Sequence, residues 1–320
     1  MSIDTTTVQE QDKHSQTTAL TLRSIAFSHY NEKARWALDY YKVPYIEYRS
    51  LPICHMISMF KYKAKKRPSP GASVFVTPHL TVEPDSNKDN EKETITFNDS
   101  TKILEFLSDQ YAAPTNSNGK SSASPNLYSN DEASKTKIQA LEERFNTMIG
   151  PHVRRVMYYE ILLQSPRSVA RSLGQHDNAG KLQTWIWSLL LPLFTWMLCK
   201  VMHINETSAS RSRDILKREF EHISRVLESG PPGPAYLVGN QFTAADLTLA
   251  SLGGLVVGVT EKDGYGAWVP RMDVLRPEGR KYMEELRATT AGQHILECYK
   301  LHRGSKAPGS GYGFSFFGLW

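Results

Sequence analysis

All strand-like patterns of this sequence lie before residue 113, and helical patterns dominate from there to about residue 303. Leu20 to Phe27 alternates and is rich in β-prone residues, which predicts a strand. Glu32 to Tyr41 carries helix formers with its apolar residues on one face, and Pro44 ends that helix. Tyr45 to Tyr48 predicts a second strand. Such a β-α-β unit implies two parallel strands joined by a right-handed crossover.

A second group of elements completes this first domain. Strands are predicted at Val74 to Val82, interrupted by Pro78, and at Thr94 to Phe97, on either side of a polar loop from Glu83 to Glu93. A helix is predicted from Thr101 to Gln110. The order β-α-β followed by β-β-α is the thioredoxin-like arrangement, so the predicted fold is an α/β domain followed by an all-α domain.

Composition divides the chain into five segments. The stretch of Ser, Asn, Pro and Gly between the two halves is typical of a linker. The predicted segments are a disordered tail at 1–19, a thioredoxin-like domain at 20–112, a linker at 113–130, an all-helical domain at 131–303 and a flexible aromatic, Gly-rich tail at 304–320.

Charge and cysteine content exclude several classes of protein. Of 320 residues, 40% are hydrophobic and 22% charged, as in ordinary globular proteins, and the net charge of +5 is too diffuse to indicate nucleic-acid binding. Three cysteines without a CxxC pair argue against a disulfide framework or a zinc ribbon. His29, His55 and His79 are not spaced as metal ligands, so no metal site is expected. The first 19 residues resemble no targeting sequence, so cytoplasm is the expected location.

Residues 182–199 contain no charged side chain and three tryptophans, Trp185, Trp187 and Trp196. The length lies at the lower limit for a membrane span. Several polar residues and the central Pro192 favour a buried helix of the helical domain instead. Contact with a membrane interface is the alternative left open, because tryptophan prefers that boundary.

Four motifs in this order resemble the glutathione transferase family. They are Ser28-His29-Tyr30-Asn31-Glu32-Lys33-Ala34-Arg35 after the first strand, Thr77-Pro78 before the third strand, Asp99-Ser100 at the start of a helix, and YLVGNQFTAADL from Tyr236 to Leu247. Arg144 to Arg155 and Tyr299 to Arg303 are similar to a bacterial-type subgroup of uncharacterised members. The resemblance covers roughly residues 20–112 and 131–303.

The resemblance implies a glutathione site built from four residues besides the catalytic one. Thr77 and a cis-Pro78 would pair with the cysteinyl unit of glutathione, whereas Asp99 and Ser100 would hold its γ-glutamyl end. Taken alone, Pro78 could be an ordinary strand-edge proline, and Asp99 an ordinary helix cap. The basic run Lys61 to Arg67 could attract the glycyl carboxylate, although such runs are more often solvated. Arg154 and Arg155 could reach the cleft from the helical domain.

Ser28 stands where the family places its catalytic residue. Its hydroxyl would donate a hydrogen bond to the glutathione sulfur and favour the thiolate, which is the nucleophilic form. Tyr30 is the rival donor, and a plain helix cap is the structural alternative for Ser28. Because neither Ser28 nor Asn31 is a cysteine, thiol–disulfide exchange is not expected.

Thr243 and Asp246 are assigned to folding. They match a capping box in which the Thr243 hydroxyl caps a helix and the Asp246 carboxylate reaches back to its amide.

The resulting hypothesis is a glutathione transferase of detoxification type, which takes glutathione as co-substrate and conjugates it to a small apolar electrophile. The electrophile pocket would lie between the domains, near Tyr158, Tyr159 and Trp185. A non-catalytic binding or scaffold module, and a glutathione-dependent peroxidase or isomerase, are the alternatives. Relatives of this family usually dimerise, which leaves a homodimer open.

Overall fold

The computed structural model describes residues 19–56, 59, 75–83, 94–112, 124–229 and 236–314. Four segments considered above lie wholly or mostly outside these residues: the N-terminal tail, the basic run at 61–67, the loop at 83–93 and the first part of the linker.

Among the described residues, the first domain contains a mixed sheet and two helices of 12 residues each. Its strands are β1 (Ala19–Ile25), β2 (Ile46–Ser50), β3 (His79–Glu83) and β4 (Ile95–Phe97), and its helices are α1 (His29–Tyr40) and α2 (Ser100–Tyr111). β1 pairs with β2 in parallel and with β3 antiparallel, and β3 pairs antiparallel with β4. The predicted thioredoxin-like arrangement is confirmed.

The second domain is helical, as predicted. Its helices are α3 (Glu132–Met148), α4 (Gly150–Tyr158), α5 (Arg167–Ser172), α6 (His176–Val201), α7 (Glu206–Glu228), α8 (Ala244–Gly253), α9 (Pro277–Arg287) and α10 (Thr290–His302). A π-helical stretch, Tyr159–Gln164, continues α4. Every residue of α8 is buried, and this helix packs against α1, α3 and α10. The second domain is therefore joined to the first through a helix with no solvent face.

The segment after residue 303 differs from the flexible tail expected from the sequence. Gly311–Phe314 forms a fifth strand, β5, parallel to β2, and gives the order β4-β3-β1-β2-β5. The Arg49 guanidinium lies 4.3 Å from the Tyr312 ring centroid. The glycines of β5 weaken the strand pattern in the sequence, because glycine is unfavourable within a strand. Pairing with β2 nevertheless provides hydrogen-bond partners for the backbone N–H and C=O groups of β5.

Helix α6 is buried on one side only, which corrects the expectation of a buried helix. Trp187, Leu191 and Phe194 face the core, whereas Trp185, Leu189 and Trp196 are exposed. By length and apolar composition α6 also meets the criteria for a membrane-crossing helix, although core helices of soluble proteins can do the same. Apolar residues thus lie on both the core-facing and the solvent-facing side of α6, and the protein core uses only one of these sides.

The motif Glu32-Lys33-Ala34-Arg35 contributes to buried ion pairs. Three carboxylates and three guanidiniums alternate in one buried network, which comprises Glu32, Asp39, Glu47, Arg35, Arg49 and Arg303. Arg303, directly after α10, binds Glu32 at 2.7 Å and Asp39 at 2.9 Å. These bonds hold the end of the helical domain against α1.

Candidate functional site

A cleft of about 620 Å³ lies where β3 and α2 meet the helical domain. Of the six residues predicted for the glutathione site or as its donors, it brings five together: Tyr30, Thr77, Pro78, Asp99 and Ser100. Residues of α3 and α4, including Asn146 and Arg154, form its other wall. The cleft is therefore shared by both domains.

One end of the cleft is formed by the turn before β3. The Thr77–Pro78 peptide bond is cis, as the resemblance implies. The side-chain nitrogen of Asn31, Nδ2, donates to the Thr77 hydroxyl at 3.1 Å and to the Ile25 carbonyl at 3.2 Å. Asn31 is fully buried and thus fixes the Thr77 side chain to the start of α1.

The other end of the cleft is the first turn of α2. Asp99 caps this helix, because its Oδ1 accepts from the amides of Thr101 at 2.8 Å and Lys102 at 3.0 Å. Both bonds use the same oxygen, so among the described residues Oδ2 has no donor. The Ser100 amide and hydroxyl likewise have no hydrogen-bond partner in that part of the chain. The capping role expected as the alternative is present, and it leaves one carboxylate oxygen available.

Ser28 lies at the N-cap of α1 but does not cap it with its side chain. It lines a second, apolar cavity next to the cleft, together with Phe27, Tyr158 and Arg154. Its main chain forms the turn, since its amide donates to the Ile25 carbonyl at 2.9 Å. The half-buried Ser28 hydroxyl therefore does not cap α1, although the structural alternative required that it should.

Tyr30 lines the cleft, but its proton is already used. Its hydroxyl donates to the main-chain carbonyl of Asn146 at 3.1 Å. A phenol has one proton to donate and a carbonyl can only accept. Burial raises the pKa of Tyr30 to about 12, so the hydroxyl stays protonated near neutral pH.

Arg154 lines both the cleft and the apolar cavity. It forms no ion pair with any carboxylate in the described part of the chain. Burial is the main cause of the raised pKa of Tyr30 and Tyr158 and of the lowered pKa of His29. The positive charge of Arg154 opposes the two increases and adds to the decrease. The neighbouring Arg155 instead binds the Ser212 hydroxyl at 3.0 Å and is absent from both linings. Of the two arginines considered from the sequence, Arg154 is the one at the site.

The apolar cavity has a free volume of only about 40 Å³, far below the 300–1,000 Å³ typical of ligand pockets. Tyr158 lines it, as expected, but Tyr159 and Trp185 do not. The Tyr159 hydroxyl donates to Glu206 on α7, and Trp185 points to solvent. Tyr159 therefore faces α7 and does not line this cavity.

Several buried side chains behind the cleft are paired, either with one another or with main-chain groups. Lys33 forms an ion pair with Glu142 at 2.6 Å and donates to the Thr101 hydroxyl at 2.9 Å. His29 is bonded to the Gly150 carbonyl at 3.0 Å, and burial followed by the nearby Arg154 charge lowers its pKa to about 3. These groups stabilise the wall between the domains, whereas Arg154 has no ion-pair partner among the residues that the structure describes.

Thr243 and Asp246 lie far along the chain from the site residues and form the capping box of α8. Asp246 is fully buried and accepts from the Thr243 amide and hydroxyl, the Leu237 amide and the His294 ring. The side chain therefore holds a loop and two helices together.

The sequence did not identify the roles of two residues at the site: Asn31, which holds the Thr77 side chain, and Asn146, which accepts the Tyr30 proton. Asn31 was considered only as a motif position that is not a cysteine, and Asn146 was not considered. The spacing of Ser28 and Asn31 could have placed them on one face of α1. No local pattern identifies Asn146, because its bonds are with Tyr30, Lys33 and Thr101, which are far away in the sequence. Within the described residues, no cluster of three or more metal-binding side chains occurs.

No protein-family model matches the sequence, and no curated protein matches it. Solved structures do resemble it. Ure2p in complex with glutathione is 15% identical, with 89% of this chain and 95% of that chain covered and a TM-score of 0.48. Poplar glutathione transferase F1 is 17% identical, with 89% and 99% covered and a TM-score of 0.48. Maleylacetoacetate isomerase from Anaeromyxobacter dehalogenans, with bound glutathione, is 16% identical, with 92% and 100% covered and a TM-score of 0.42.

Proposed function

We propose that this chain, which has a thioredoxin-like domain followed by a helical domain as in the glutathione transferase fold, binds glutathione in the shared cleft and ionises its thiol. The observation that carries the proposal is the meeting of Thr77, cis-Pro78, Asp99 and Ser100 in one cleft. The pair Thr77-Pro78 and the pair Asp99-Ser100 lie apart in the sequence, and the fold brings them to one surface.

Asp99 and Ser100 would hold the γ-glutamyl end of glutathione. The available Oδ2 of Asp99 would accept from the ammonium group. The amide and hydroxyl of Ser100 would donate to the carboxylate, which the N-terminus of α2 also favours. A charge-assisted hydrogen bond of this kind contributes roughly 1.5–3 kcal/mol.

The cysteinyl unit would pair with the backbone of Thr77, in the manner of a strand added to a sheet edge. Asn31 supports this role because it fixes the Thr77 side chain. The sulfur would then lie at the boundary between the cleft and the apolar cavity, where Ser28 and Arg154 are found.

Ser28 is the hydroxyl that would stabilise the thiolate. Its side chain does not cap α1, whereas the proton of Tyr30 is held by the Asn146 carbonyl. One hydrogen bond to the charged sulfur contributes roughly 1.5–3 kcal/mol, and the N-terminus of α1 adds about 0.3–1 kcal/mol. Together these would lower the thiol pKa by about one to three units.

The apolar cavity would receive the electrophile. Because its free volume is about 40 Å³, the electrophile would be a small apolar group or the narrow end of a larger molecule. The same narrowness favours a second candidate, a protein that binds glutathione without conjugating it.

Titration calorimetry with reduced glutathione tests the proposal. Asp99→Asn keeps a good helix cap but removes the charge, since Asn and Asp cap equally well. We expect this variant to bind glutathione roughly tenfold more weakly, with an unchanged melting temperature. The matched control is Asp131→Asn, because Asp131 caps α3 in the same way but lies outside the cleft lining.

The control should bind as the wild type does. Wild-type protein that shows no heat of binding at millimolar glutathione would refute the proposal. Binding without conjugation of a chlorodinitrobenzene substrate would select the non-catalytic candidate.

A further inference from the structure

Helix α6 exposes a continuous apolar face. Leu182, Trp185, Leu189, Leu193 and Trp196 repeat at intervals of three or four residues, and each is about half exposed or more, with Trp185 at 63%. This spacing places them along one side of the helix over about 21 Å. Scattered exposed apolar residues are ordinary, but a contiguous stripe of this kind marks a contact surface.

The opposite face of α6 is fixed in the protein core. Trp187 is fully buried, stacks on Phe194 with ring centroids 5.5 Å apart, and donates to the Ala170 carbonyl at 3.0 Å. Gln183 accepts from the Leu51 amide at 2.9 Å. A helix held in this way cannot become a lipid-surrounded span without losing these contacts, so its free face can only lie along a surface.

Basic side chains border the apolar face at both ends. Lys181 and Lys200 are exposed on α6 on either side of the uncharged segment. Arg167, Lys200 and His203 border a groove of about 600 Å³ that runs beside Trp196. In the described part of the chain, neither lysine nor Arg167 forms an ion pair with a carboxylate.

From this arrangement we propose that the exposed face of α6 docks on the surface of a bilayer that contains anionic lipid. The two exposed tryptophans suit the boundary between head groups and acyl chains, and the leucines between them would enter the acyl region. Lys181, Lys200 and Arg167 would lie at the level of anionic head groups and add electrostatic attraction.

The charges argue against a second copy of this chain as the occupant. In a two-fold symmetric pairing through α6, an antiparallel arrangement brings Lys181 of one copy to Lys200 of the other. A parallel arrangement brings each lysine to its own equivalent. Both place like charges together, whereas an anionic surface neutralises them.

Co-sedimentation of the full chain with vesicles tests this docking. We expect binding to phosphatidylcholine vesicles that contain phosphatidylserine, weaker binding to phosphatidylcholine alone, and release as ionic strength rises. Leu189→Ser combined with Trp196→Ser should weaken binding roughly tenfold or more. Because both side chains are exposed, the melting temperature should not fall.

Two matched controls distinguish an effect of the α6 face from a general effect of exposed apolar or charged side chains. Leu301→Ser combined with Val274→Ser removes apolar groups exposed elsewhere and should leave vesicle binding unchanged. Lys200→Glu should weaken binding to the anionic vesicles, whereas Lys262→Glu, an exposed change in a turn outside α6, should not.

The proposal is overturned if the wild-type chain does not sediment with anionic vesicles, or if the control variants lose as much binding as the α6 variants. It is also overturned if ultracentrifugation shows a dimer that the double α6 variant dissociates, because the face would then belong to a second copy. Glutathione calorimetry on the same samples is independent of all these outcomes.

Discussion

The hydroxyl of Tyr30 donates a hydrogen bond to the main-chain carbonyl of Asn146, across the boundary between the two domains. This bond uses the one proton of the Tyr30 hydroxyl and makes Tyr30 part of the domain interface. Under the proposed function, Tyr30 would therefore not donate to the bound thiolate. The roles of Ser28 and Tyr30, which are two residues apart, are therefore separable by experiment.

Ser28→Ala should lower the rate of glutathione conjugation sharply and raise the pKa of the bound thiol by about one to two units, because a hydrogen bond to the charged sulfur is lost. Tyr30→Phe should leave that pKa unchanged and instead reduce stability by about 1 kcal/mol. The thiolate absorbance of bound glutathione, followed against pH, measures the first effect. Equal activity in the two variants would contradict the assignment.

Gly150→Ala should destabilise the domain interface, because a β-carbon at this position would overlap the Tyr30 phenol. Overpacking of this kind costs about 1–3 kcal/mol. In a double-mutant cycle, Tyr30→Phe should recover part of that loss, since it removes the atom nearest to the new methyl group. Urea unfolding of the four proteins measures the coupling, and strictly additive losses would count against the proposed overlap.

Arg154→Met should raise the pKa of the bound thiol by about one unit, because it removes an unpaired cation from both the cleft and the apolar cavity. Arg155→Met is the matched control, since Arg155 is bonded to Ser212 and is absent from both linings. The pH profile of conjugation reports the shift. If both variants move the profile equally, the effect is one of overall charge.

Asp246→Ala should reduce the free energy of unfolding by about 3 kcal/mol, since a buried cap is lost and its donors are left unpaired. Asp263→Ala provides the control, because Asp263 forms the same capping box with Thr260 but is exposed. This control should cost about 1 kcal/mol or less. Glutathione affinity should remain as in the wild type for both, and an unchanged melting temperature for Asp246→Ala would oppose its structural role.

Acid should destabilise the fold well before the carboxylates titrate. Burial, with a nearby arginine, lowers the pKa of His29 to about 3 and that of His79 to about 4, from 6.5. As the pH falls below 6.5, the unfolded chain takes up protons that the folded chain does not, so stability decreases by about 1.4 kcal/mol per pH unit for each histidine. Their contribution is fully present above pH 6.5.

Unfolding by urea at a series of pH values between neutral and about 4.5 measures this slope. His79→Gln should give a flatter profile than the wild type, since it removes one of the protons taken up on unfolding. A wild-type stability that is constant over this interval would show that these histidines titrate alike in both states.

Local patterns were sufficient to predict much of the architecture. Alternation over Leu20 to Phe27 and a helical face over Glu32 to Tyr41 identified β1 and α1 to within a few residues, because these periodicities depend on neighbours in sequence. The capping box at Thr243 and Asp246 was likewise readable, since its bonds span only three residues. The set of glutathione-site residues came from the resemblance in motifs and their order.

Tertiary contacts alone decided which groups are available for chemistry. Ser28 and Tyr30 look equivalent in the sequence, but the carbonyl that binds the Tyr30 proton is 116 residues away. Arg154 and Arg155 look equally suitable, yet the helix turns one toward the cleft and the other toward α7. Whether β5 pairs, and which side of α6 is exposed, also depend on surfaces assembled from distant segments. The amino-acid sequence determined where helices and strands form, because those bonds are local; packing between the domains determined which hydroxyl, cation and apolar face remained free.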